Sequence, residues 1–141
     1  MSVLRVRFAC VLTAAVSIAG CGDSELKCYP VRGTVLLQGR PVAEANVLLH
    51  PEAVSETFPK PLAQTDAAGG FELTTLQPKD GAPAGQYIVT VELHDWVTVG
   101  EEPVRDGKNL LPAKYADPKQ SPLKVQVEAK PNEGIILELT P

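Results

Sequence analysis

Gly85-Gln86-Tyr87-Ile88-Val89-Thr90-Val91-Glu92-Leu93 is the stretch that decides the fold. Tyr87, Val89, Val91 and Leu93 share one phase of a two-residue period, and Gln86, Thr90 and Glu92 take the other. Successive side chains of an extended chain point to opposite faces. The pattern therefore predicts a strand over Gln86 to Leu93 with one face in a core and one toward solvent. The run Ile88 to Val91 is β-branched throughout, which suits a pleated surface, and Pro83-Ala84-Gly85 opens it as a turn.

The same period recurs on both sides. Val31, Val35 and Leu37 share a face, with Arg32 and Thr34 opposite, and Gln38-Gly39-Arg40-Pro41 is a turn. Ala45 to His50 reads as a second strand that Pro51 ends. Phe71 to Thr74 alternates after Gly69-Gly70, with Leu62 to Thr65 as its expected hairpin partner. Near the end, Leu123, Val125 and Val127 alternate with Lys124, Gln126 and Glu128. Pro131 to Gly134 then turns the chain into Ile135 to Leu139. No amphipathic helix is evident beyond the first twenty residues, and the 13 prolines and 11 glycines fall mainly between these strands. The expectation is an all-β, seven-stranded β-sandwich with Greek-key connections. His94 to Pro122 shows no clear period and is expected to be a long irregular loop, a common place for function.

The first twenty residues have a different character. Arg5 and Arg7 precede an apolar or small run from Phe8 to Ala19, the layout of a secretory signal peptide and too short for a spanning helix. Ile18-Ala19-Gly20-Cys21 resembles the lipobox of bacterial lipoproteins. That resemblance implies cleavage between Gly20 and Cys21 and fatty-acyl (palmitate-type) lipid on the Cys21 sulfur. One acyl chain anchors only marginally, at about 0.8 kcal/mol per buried CH₂, so several chains are needed for stable attachment. The expected organisation is a signal peptide at 1–20, a lipidated tether at 21–27 and one domain at 28–141. It places the protein in the cell envelope, on the inner or outer membrane.

Charge and cysteine content narrow the partners. Arg5 and Arg7 leave with the signal while all 17 Asp and Glu stay, so the exported part is more acidic than the net −4 of the whole chain. An acidic domain without a basic stripe is a poor nucleic-acid binder. Of three cysteines, Cys10 lies in the signal and Cys21 is committed to lipid. Cys28 is then alone: a small apolar residue starting the first strand, or a thiol that pairs with another chain.

Val31-Arg32-Gly33-Thr34-Val35, Gly39-Arg40-Pro41-Val42 and Ala45-Asn46-Val47 together resemble the opening of a carboxypeptidase-regulatory-like, or transthyretin-like, domain. Thr65-Asp66-Ala67-Ala68-Gly69-Gly70-Phe71 and Ala84-Gly85-Gln86-Tyr87 resemble later motifs of that family, so the likeness covers roughly residues 29–93. It implies a transthyretin-like (prealbumin-like) sandwich. Leu111 to Pro118, with Ser121-Pro122-Leu123, also resembles a segment of small planctomycete lipoproteins. The motif residues have structural work: Asp66 can accept N–H bonds across its own turn, and Tyr87 can bury its ring and send its hydroxyl to a carbonyl.

No catalytic set emerges. His50 and His94 are the only histidines, without metal-ligand spacing, and His50 sits on an outward phase before a proline. The Tyr-Arg-Gly-Ser signature of transthyretin-like hydrolases occurs nowhere in the sequence, and no nucleophile elbow surrounds Ser55 or Ser121. The sequence therefore points to no cofactor, no metal and no enzyme. In the 94–122 stretch, Trp96, Asp95 and Tyr115 are candidate sugar-binding residues, by stacking and hydroxyl recognition. The competing role for Trp96 and Tyr115 is to cover an open end of the core. The expected function is a membrane-anchored, non-catalytic structural or protein-interaction module. A carbohydrate or envelope-polymer binder using 94–122 is the alternative, and a hydrolase with an unrecognised site a weaker one.

Overall fold

The computed structural model describes residues 25–53 and 58–141. The signal segment, Gly20, Cys21 and the first part of the tether lie outside the described residues. Chain order begins with β1 (Cys28–Tyr29), β2 (Val31–Leu37), β3 (Arg40–Pro41) and β4 (Asn46–Pro51). Next come β5 (Leu62–Gln64), β6 (Gly70–Glu72), β7 (Ala82–Pro83) and β8 (Gly85–Glu92). The chain finishes with β9 (His94–Val99), β10 (Glu102–Asn109), a 3₁₀ turn (Ala113–Tyr115), β11 (Lys124–Val127) and β12 (Asn132–Leu139).

These strands form an all-β, β-sandwich-like body. One sheet runs β11-β8-β4-β5, antiparallel throughout. In the other, β2 is central: β12 pairs it in parallel on one side, and β6 and β3 pair successive parts of it on the other. Val31 and Val35 of β2, Val47 and Leu49 of β4, Val89 and Val91 of β8, and Leu137 and Leu139 of β12 are buried together. Burial of such side chains contributes on the order of 1.5–3 kcal/mol each. Gly33 interrupts this face for a reason. A Cβ there would fall 2.6 Å from Phe71 Cζ and 2.5 Å from the Ile135 carbonyl oxygen, so its absence seats the Phe71 ring.

Each strand read from the sequence has a counterpart, but the count of seven does not hold. Twelve strand segments are present among the described residues. β1, β3 and β7 are two-residue pairings, and the β9–β10 hairpin occupies what was expected to be irregular chain. The expected hairpin between Leu62–Thr65 and Phe71–Thr74 reduces to a single bridge, Leu62 to Thr74. β5 instead extends the β4 sheet while β6 crosses to β2, because the Asp66 turn carries the chain between sheets. There Asp66 Oδ1 accepts the Ala68 and Gly70 N–H groups at 2.9 and 2.8 Å, as expected. Thr90 keeps its outward phase but is not the solvent residue expected: it is only 5 % exposed. His50 covers it, its Nε2 lying 2.9 Å from Thr90 Oγ1.

Tyr87 behaves as expected. Its ring is in the core and its hydroxyl donates to the Pro83 carbonyl at 2.7 Å, four residues back. Burial, with the nearby Cys28 thiol, pushes its pKa up to about 12. Cys28 itself is half-buried at the start of β1, its thiol raised first by burial and then by the Asp80 carboxylate.

Candidate functional site

The residues singled out in 94–122 sit in two different structures. β9 leaves the end of β8 through Leu93, turns at Gly100, and returns as β10 to Leu110. The two strands pair only with each other, so the hairpin is an arm standing off the sandwich. It is tied at its root, where Asn109 Oδ1 accepts the Leu93 and Leu111 N–H groups and the Leu110 N–H donates to the Leu93 carbonyl. β1 pairs with β7 just before β8 begins, so the amino-terminal strand and the arm lie at opposite ends of β8. Eight extended residues separate those ends by about 25 Å.

Trp96 is on this arm and 53 % exposed, so it does not cover the core. Its cross-strand partner is Arg105, whose guanidinium carbon lies 4.7 Å from the ring centroid. The same guanidinium donates from Nη1 to the His94 carbonyl at 2.7 Å and pairs through Nη2 with Glu44. Glu44 stands in a tight turn at φ 58°. Thr65 pins that turn: its buried hydroxyl donates to the Val42 carbonyl at 2.6 Å and accepts the Ala45 N–H at 2.8 Å. Arg105 is therefore a strut from arm to body, with the indole stacked along it. Such a cation–π contact is worth ~0.5–2 kcal/mol according to its exposure.

Asp95 follows the opposite phase of β9 from Trp96, and its Oδ1 accepts the Trp96 backbone N–H at 2.8 Å. Tyr115 is not on the arm. It is 1 % exposed within the core, and its hydroxyl accepts the Thr140 N–H at 2.7 Å and lies 3.2 Å from the Thr140 carbonyl. The expected trio of Trp96, Asp95 and Tyr115 is thus not brought together as one surface. Tyr115 does the core-covering work, and Trp96 braces Arg105.

At the arm's root, His94 Nδ1 donates to the Gly107 carbonyl at 2.9 Å, and Nε2 faces Glu92 at 3.4 Å. The Gly107 bond, then the Glu92 contact, raise its pKa. Gly107 belongs to the irregular register between Arg105 and Asn109, so the imidazole holds a bulge where the strand ladder is broken.

His50 is chemically set as well. Lys60 Nζ approaches its Nδ1 at 3.3 Å, and an ammonium can only donate. Nδ1 is then the acceptor and Nε2–H the donor to Thr90 Oγ1, the wrong polarity for a base activating that hydroxyl. Burial first, and the Lys60 charge second, lower the His50 pKa, which disfavours its protonated form. Among the described residues, no group of three His, Cys, Asp or Glu side chains is placed to hold a metal ion.

Sequence reasoning missed Arg105, Glu44 and Asn109, the residues that fix the arm. Their partners are 61 positions away for Arg105–Glu44 and 16 for Asn109–Leu93; the one local signal is the Asn109 side chain accepting the Leu111 N–H two residues on.

No protein-family model matches the chain, and no curated protein matches it. Among solved structures the chain is similar to a proposed carbohydrate binding protein from Pseudomonas aeruginosa. The identity is 16 % and the TM-score 0.42, over 82 % of this chain and 90 % of that one. A likeness at that level carries no argument about what this chain binds.

Proposed function

We propose that the chain is an exported lipoprotein, held to an envelope membrane by acyl chains on Cys21. Its domain is a transthyretin-like sandwich with Greek-key connections that works as a non-catalytic protein-interaction module. The observation that carries the reading is Ile18-Ala19-Gly20-Cys21 placed directly after Arg5, Arg7 and an apolar run. A thiol at that position, preceded by small residues, is what lipid attachment followed by cleavage requires.

The geometry of the domain supports the interaction role. The amino-terminal strand sits at one end of β8 and the arm at the other, so a short tether at Cys21 holds the arm away from the anchoring membrane. The sugar-binding alternative loses its second aromatic to the core and one face of Trp96 to Arg105. His50, donating to Thr90, supports a structural rather than a hydrolytic role.

Metabolic labelling with a fatty acid tests the anchor. The full chain should take up label and fractionate with membranes, and the Cys21→Ser chain should do neither. Label persisting in the Ser variant would refute the reading.

A further inference from the structure

The arm has two unlike faces. His94, Trp96, Thr98 and Arg105 share the face tied to the body through Glu44. Asp95, Val97, Val99, Val104 and Glu102 share the other, because paired residues point to the same side of a sheet. On that second face Val99 is 63 % exposed and Val97 37 % exposed. Val104, opposite Val97, is half-buried, and two exposed valines beside it are unusual on a two-stranded ribbon that gains nothing from leaving them wet. The ribbon is nevertheless braced by the Arg105 strut and the Asn109 root, so it is presented in one orientation.

Charge selects what can cover this face. Asp95 and Glu102 lie on it, Glu101 is in the adjoining turn, and Asp106 is in the bulge beside it. The arm's arginine is turned to the opposite face and paired with Glu44, which leaves Lys108 as the arm's other cation. An anionic lipid surface would be repelled, and the arm lies at the far end of β8 from the anchored end. A second copy would bring the same acidic rim against itself.

We infer that the Val97–Val99–Val104 face docks a segment of another protein whose apolar side chains are flanked by lysine or arginine. The valines exclude water from the partner's apolar side chains, and the acidic rim orients its cations. This rests on the interaction-module reading and names its surface and the chemistry of its partner.

The test uses the full lipid-bearing chain in detergent micelles, with Trp96 fluorescence and NMR shifts of the arm as readouts. The probe is a synthetic peptide alternating lysine with valine, set against glutamate–valine and lysine–serine peptides. The lysine–valine peptide should bind saturably and shift the arm resonances. Val99→Ser should weaken it by about tenfold or more, and Glu102→Lys should weaken it further and flatten its salt dependence. The glutamate–valine peptide should not bind, and the lysine–serine peptide should bind far more weakly. Binding unchanged in Val99→Ser, or equal for the two lysine peptides, would overturn the proposal, because charge alone would then suffice. A dimer that Val99→Ser dissociates, or docking to neutral vesicles that the same change abolishes, would also overturn it by showing a different occupant. Fatty-acid labelling at Cys21 is unaffected by any of these results, so failure of the docking surface and failure of the anchored-lipoprotein reading remain separable.

Discussion

The Arg105 guanidinium lies 4.7 Å from the centroid of the Trp96 ring while its other edge reaches the body of the domain at Glu44. This pairing turns the tryptophan from a candidate ligand platform into part of a brace, and it makes the arm's mobility testable. Arg105→Ala should leave the sandwich folded, with a fall in melting temperature of no more than a few degrees. Amide exchange across 94–109 should accelerate, and Trp96 fluorescence should change. An arm as protected as before would show that the strut is not what holds it.

The interior phase of β8 should be unforgiving. Val89 is fully buried, so Val89→Asp places an unpaired charge between the sheets, at several kcal/mol against a total stability of ~5–15. Glu138, exposed and accepting the Gly39 N–H at 2.9 Å, should tolerate Gln with little loss. Thr90 separates register from burial. Thr90→Val keeps its shape but removes the acceptor of the His50 Nε2–H and should cost about 1–2 kcal/mol, whereas Thr90→Asp should be more damaging even though the residue faces away from the main core. Thermal melts of the four variants and the parent decide this.

Tyr115 should respond as a core residue with a hydrogen-bonding duty. Tyr115→Phe removes the acceptor of the Thr140 N–H and should cost about 1–2 kcal/mol of stability, read by denaturant unfolding. The docking of peptides to the arm should be unchanged, since the ring is buried elsewhere.

Two titrations should leave opposite signatures. For Asp80, burial works against ionisation, but the Thr75, Gln77 and Leu76 N–H groups and the Cys28 side chain outweigh it and hold the carboxyl below its usual range. A depressed folded pKa means that this group's stabilisation is present above the unfolded value of about 3.9 and is lost as pH falls through the folded value. Asp80→Asn should flatten that acid limb of the stability curve. His94 is raised instead, so its contribution is complete below about pH 6.5 and is lost as pH rises through the folded value. Arm protection should therefore decline on going from about pH 5 to 8, and His94→Gln should remove the dependence.

The legible parts of the sequence were those with one buried face. Tyr87, Val89 and Val91 alternate because one side of β8 meets the core, and Val31, Val35, Leu137 and Leu139 do so for the same reason. The arm escaped because both of its faces are largely wet, so no burial imposes a period. Pro103, Gly107 and the bulge break what alternation remains. Trp96 and Tyr115 could not be told apart locally: one is braced by Arg105 and the other locked to Thr140, 25 residues on. Thr90 looked like a solvent residue because His50, its cover, lies 40 positions away. Strand partners are likewise set by which way the Asp66 turn sends the chain, which the alternation of β5 and β6 does not encode.

The claim on which the functional account turns is covalent, so intact mass spectrometry of the native protein extracted from membranes tests it most directly. The account predicts a chain that begins at Cys21 and carries the added mass of acyl chains on that residue. A chain that begins elsewhere, or begins at Cys21 with a free thiol, would contradict it.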